Sequence, residues 1–112
     1  MDTKEQALEK ARRGAPPLWM KECMDAIHLC ATEMPTFTTD DIWEVLEGKG
    51  VEAPREPRAM GVAMVRAVRM KMVTILERTA VSRRRVNHGR RVQIWQSLLY
   101  KPTTEMRLFD VY

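Results

Sequence analysis

Apolar residues recur along this 112-residue chain with two different periods, and the change of period divides it. Between residues 18 and 33, Met20, Cys23, Met24, Ile27, Cys30 and Ala31 fall on one stripe, with Met34 just beyond. That spacing predicts an amphipathic helix with one face turned to a core. Trp19 stands one step off the stripe, placed to seat whatever precedes the helix. Met34-Pro35-Thr36-Phe37 is extended and short, room for one small strand. Thr38 or Thr39 then offers an N-cap to a second helix carrying Ile42, Trp43, Val45 and Leu46, stopped by Gly48 and Gly50. Asp40 and Asp41 occupy its first turn, where the helix dipole favours carboxylates. After a connection over 51–56, Pro57 suits the first position of a third core helix reaching about residue 71. Met60, Ala63, Met64, Ala67, Val68 and Lys71 share its mostly apolar face, while Arg58, Val62, Arg66 and Arg69 follow one another on a different face.

Past residue 72 the helical period gives way to β-rich runs over 73–81 and 92–99, joined by a polar segment that contains Asn87-His88-Gly89. This predicts a β-hairpin whose loop is longer than the tightest two-residue kind. Trp43 and Trp95 are expected in the core, Trp95 beneath the third helix. The fold class is therefore α+β and mostly helical, with three core helices and a hairpin. The main domain covers residues 17–100. Ahead of it, Thr3-Lys4-Glu5-Gln6 reads as a capping box opening a short, sparsely apolar helical appendage over 1–16. A tail over 101–112 ends in Leu108-Phe109-Asp110-Val111-Tyr112, apolar enough to dock on the domain or on a neighbour. The appendage and the tail are the candidate elements of a homodimer.

Net charge of +4 conceals segregation: residues 1–54 hold 6 Lys+Arg and 11 Asp+Glu, residues 55–112 hold 13 and 4. The acidic and basic halves are expected on opposite faces. Of the 13 cations, 11 are arginine, whose planar donor fork suits phosphate and the guanine edge. Five lie in nine positions at the hairpin tip: Arg83, Arg84, Arg85, Arg90 and Arg91. Like charges so concentrated repel one another, so a polyanion is expected there. His88 sits among them, either a turn residue or a further phosphate contact.

Other chemistry finds little support. Cys23 and Cys30, two helical turns and roughly 10 Å apart, are beyond disulfide reach and read as buried thiols of a reducing cytoplasm. Cys23 and His28 face differently on their helix, and no Cys-x-x-Cys supports a metal. Adjacent carboxylates at Asp40 and Asp41 point about 100° apart and lack a third partner for nuclease chemistry. Neither Ser82 nor Ser97 has a base at a recognisable spacing, and no Gly-rich phosphate loop is present. No apolar run approaches the about 20 residues of a membrane span, and the first residues lack signal-peptide character. A binding protein is expected, with no catalytic residue, cofactor or metal.

The order helix, short strand, helix, turn, basic helix, hairpin resembles the winged helix-turn-helix family over most of the chain. The phrases Phe37-Thr38-Thr39-Asp40-Asp41-Ile42-Trp43, Glu56-Pro57-Arg58-Ala59-Met60-Gly61 and His88-Gly89-Arg90-Arg91-Val92-Gln93-Ile94-Trp95 are similar to small winged-helix proteins of actinobacteria and their phages. The resemblance implies double-stranded DNA binding, with the third helix in the major groove and the hairpin as a wing on the backbone or minor groove. The helix role would fall on Arg58, Arg66 and Arg69, with Arg55 in the preceding connection as a further DNA-binding residue. The wing role would fall on Arg83, Arg84, Arg85, His88, Arg90 and Arg91. Transcriptional control, or an accessory role in replication or recombination, would both fit. The docking face is poor in Asn, Gln and Ser, so phosphate affinity is better provided for than sequence readout. Winged helices also bind proteins, so the rival expectation is an interaction module whose wing arginines meet an acidic partner.

Overall fold

The computed structural model describes residues 17–56 and 58–101. The appendage over 1–16, Pro57 and the tail beyond 101, with the dimer roles expected of them, lie outside the described residues. Three helices and three strands follow in the order α1 (Pro17–Glu33), β1 (Thr36–Phe37), α2 (Thr39–Gly48), α3 (Ala59–Arg69), β2 (Val73–Val81) and β3 (Arg91–Ser97). The strands form one antiparallel sheet in the order β1-β3-β2. The α+β class and the element order agree with the sequence pattern. No described helix is long and apolar enough to cross a membrane.

α1 is the hub. Cys23, Ala26, Ile27, Cys30 and Ala31 are buried along it, and α2, α3 and β3 all pack against it. Trp19, expected at the margin, is buried in the core, its ring centroid 6.0 Å from that of Trp43. Trp43 and Trp95 are half-buried and pack against the core rather than lying within it. On α3, Val62 is a correction: it is 5% exposed and belongs to the core with Met60, Ala63, Met64 and Ala67. Val68 and Lys71, assigned to the apolar face, are exposed instead. The exposed residues of α3 are therefore Gly61, Arg66, Val68 and Arg69, with Val65 half-buried among them.

The helix ends explain their own positions. Thr38 caps α2: its side chain accepts from the Asp40 amide, and Asp41 accepts from the Thr38 amide at 2.9 Å, a reciprocal capping box. At the other end, Gly50 N donates to Glu47 O and Val51 N to Leu46 O, both at 3.0 Å, with Gly50 left-handed at φ 72°. This is a Schellman stop, and glycine suits it because the conformation is strained for a side chain. α3 closes the same way, Met72 N donating to Ala67 O, but the left-handed position is held by Lys71 at φ 59°. Lys71→Gly should accordingly raise stability by about 0.5–1 kcal/mol, measured by urea unfolding.

In the hairpin, β2 pairs with β3 from Val73↔Ser97 to Val81↔Arg91, interrupted by a bulge between Leu76 and Thr79. The Gln93 side-chain amide spans the bulge, donating to the carbonyls of Leu76, Arg78 and Ile94. Residues 82–90 form the loop, tied at its base by Ser82 N to Arg90 O at 2.8 Å. It contains one 3-10 turn, Arg85–Asn87, followed by His88 and Gly89, both left-handed.

Candidate nucleic-acid interface

The carboxylate of Asp40 joins the hairpin to α2. Asp40 lies in the first turn of that helix, 1% exposed, and accepts from Ser82 Oγ at 2.9 and 3.1 Å and from the Arg83 amide at 2.7 Å. Ser82 Oγ in turn accepts from Asn87 Nδ2 at 2.8 Å and from the Arg84 amide at 3.2 Å. A buried carboxylate with two donors around it, both from a loop more than forty residues away in sequence, fixes where that loop sits. Sequence reasoning assigned Asp40 only to the helix dipole and missed this bond. Its neighbour in sequence, Asp41, does the capping; the second aspartate of the pair was the only signal that another job existed.

The arginines of the loop divide into two sets. Arg83 donates to Asp41 Oδ1 and to Glu44 Oε1, each at 2.9 Å, and these carboxylates push its guanidinium pKa further up. Arg84 meets Glu47 at 2.5 Å and stacks on the Trp43 ring, its Cζ 5.1 Å from the centroid. Arg91 folds back on Thr79, donating to its hydroxyl and its carbonyl. Arg85 and Arg90 are exposed and have no carboxylate partner among the described residues, and His88 is exposed between them. The expectation of acidic and basic halves on opposite faces is therefore corrected: the acidic side of α2 is in contact with the basic loop. The physical reason is short-range: α2 presents Asp41, Glu44 and Glu47 at helical spacing along one edge, and the buried Asp40–Ser82 contact delivers Arg83 and Arg84 to it.

The remaining candidates lie on and before α3. Arg55 is exposed in the connection, Arg58 is exposed at the N-cap, and Arg66 and Arg69 are exposed in the last turn. Met60, in the first turn of α3, lines the same cleft as Asn87 and Arg90 of the loop. The N-terminal end of α3 thus faces the loop. Arg66 and Arg69 are at the opposite end, where the chain enters β2. The candidate residues thus form a loop group, a separate pair at the far end of α3, and Arg55 and Arg58 on the segment that leads into that helix.

Among the described residues no group of three or more His, Cys, Asp or Glu side chains is placed to hold a metal. Cys23 and Cys30 are buried free thiols, as expected, and Cys23 Sγ lies 3.7 Å from Met60 Sδ. Burial pushes both thiols up to about 12, with smaller contributions from Cys30 on Cys23 and from Asp41, Glu33 and Glu44 on Cys30. A raised thiol pKa favours the protonated folded form, so its stabilisation is complete below the ordinary value of 9.0 and is lost as pH rises from there toward about 12. Unfolding free energy should fall across that window, and both thiols should resist a disulfide reagent at pH 8 until urea unfolds the chain.

No family model, curated protein or solved structure matches this chain.

Proposed function

We propose that this protein is a winged helix-turn-helix that binds double-stranded DNA. The observation that carries the reading is the exposed pair Arg85 and Arg90 on a loop anchored by Asp40, with Arg58 exposed at the N-cap of α3. Guanidinium groups without carboxylate partners among the described residues, presented on an anchored hairpin tip, suit successive phosphates of a duplex backbone. The element order, with α3 followed directly by the hairpin, supports the same reading. α3 would lie in the major groove with its N-terminal end toward the bases, and the loop would ride on the backbone or minor groove. Binding would be strong for phosphate and weak in sequence discrimination, because the outward face of α3 offers Gly61, Val65 and Val68 and no amide side chain. The role that follows is transcriptional control or an accessory part in replication or recombination, without catalysis.

Fluorescence anisotropy on random duplex DNA across salt concentrations tests this. Arg55, Arg58, Arg66, Arg69, Arg85 and Arg90 supply at most six phosphate contacts, so the log–log slope should be roughly −4 to −5. The larger value expected if all the loop arginines touched DNA would be about −6 to −7. A flat salt dependence, or no binding at low salt, would overturn the reading. It would favour instead a protein partner, for which the exposed Val68 and Met70 at the end of α3 supply an apolar contact beside arginines.

A further inference from the structure

We propose that the cleft between the hairpin loop, α2 and α3 holds one unpaired nucleotide of the DNA, its base against Arg84 and Trp43 and its phosphodiester on Arg90. The inference rests on the DNA-binding reading and adds to it a preference for distorted or unpaired sites. The cleft encloses about 410 Å³, within the roughly 300–1,000 Å³ of sites that take small ligands. Its apolar walls come from Pro54, Met60 and Val86, three different segments of the chain. Val86 is 70% exposed in an otherwise polar loop, an odd place for a large apolar side chain unless something covers it.

Three further features select the occupant. Trp19, Trp43 and the Arg84 guanidinium follow one another, 6.0 Å and then 5.1 Å apart, and Glu47 holds the last of them in place. Aromatic rings and guanidinium planes are the surfaces on which unstacked bases lie. Asn87 donates its side-chain amide to Ser82 Oγ, which leaves its carbonyl oxygen, with the Thr39 hydroxyl, for the edge of a base. Charge sets the stoichiometry: Arg84 is neutralised by Glu47, whereas Arg90 has no carboxylate partner among the described residues. One uncompensated cation matches one phosphodiester. A base stacked and paired within a duplex cannot enter, so the site discriminates in favour of nucleotides that are already unpaired.

The test compares two labelled duplexes of identical sequence, one carrying a single bulged nucleotide, by anisotropy at one salt concentration. The intact protein should prefer the bulged duplex by at least about fivefold, the low end of what one stacked base contributes. Ala53→Phe fills the cleft from the exposed connection without changing any charge. It should abolish the preference while affinity for the perfect duplex stays the same. Equal affinity of the intact protein for both duplexes overturns the inference and leaves the DNA reading standing. A preference that survives Ala53→Phe also overturns it, since the bulge is then recognised elsewhere. Failure to bind either duplex overturns both. Adenosine monophosphate, offered free and followed by the Trp43 indole N–H resonance, separates the sources: its binding without any preference between duplexes would assign the cleft to a free nucleotide and overturn the inference.

Discussion

Replacing Arg85 and Arg90 together with alanine is expected to weaken duplex binding roughly 30- to 150-fold, about 2–3 kcal/mol for two charge-assisted phosphate contacts. The loss should be equal on every sequence, and the salt slope should flatten by about two. The informative comparison is Arg83→Ala with Arg84→Ala. These remove the same formal charge from the same loop, yet both guanidiniums already face carboxylates, so the salt slope should change by less than one. Their effect should fall on stability, and modestly. The Arg83 side chain is 56% exposed, and pairs so exposed contribute about 0.2–1 kcal/mol whatever the shift in guanidinium pKa. Arg84 adds its stack on Trp43, worth about 0.5–1 kcal/mol at such a site. If the two double variants flatten the slope equally, the pairing with α2 opens on DNA and all the loop arginines grip the backbone. If neither pair matters, the positive loop serves something other than nucleic acid.

Asp40→Ala should be the most destabilising single change at the interface, by about 2–4 kcal/mol. It strands the buried Ser82 hydroxyl and the part-buried Arg83 amide, both donors to the lost carboxylate. For a domain of this size that corresponds to a fall in melting temperature of about 10–25 °C. Asp40→Asn keeps one acceptor oxygen and should cost less. The Asn variant also gives a functional readout. Loosening the loop without removing any cation should weaken duplex binding while the salt slope keeps its value, the opposite signature to that of Arg85 and Arg90. Hydrogen exchange at the amides of Arg83 and Arg84 should accelerate in step. Unchanged stability in Asp40→Ala would mean that the loop is held by its arginines alone.

Much of the architecture could be read along the chain because it depends on neighbours in sequence. The stripe from Met20 to Ala31 made α1, a threonine at 38 or 39 offered the cap of α2, which the structure assigns to Thr38, and Gly50 stopped that helix, each through interactions within about five residues. The β-hairpin was equally legible, since two alternating runs around Asn87-His88-Gly89 leave few other arrangements. Val62 was misplaced because its spacing to Arg58 and Arg66 fits one face of a helix as drawn; how wide the buried arc becomes depends on what packs around it. The candidate site divided along the same line. Composition and spacing alone showed that the basic residues gather at the hairpin tip, as charge density is a property of the chain. Which of those arginines remain open to a partner was decided by tertiary structure, when the buried contact of Asp40 with Ser82 brought Arg83 and Arg84 onto Asp41, Glu44 and Glu47. That pairing joins residues about forty apart, and no periodicity in the sequence encodes it: the bond forms because the hairpin and α2 both pack around α1, and Coulomb attraction acts only on charges the fold has already brought within reach.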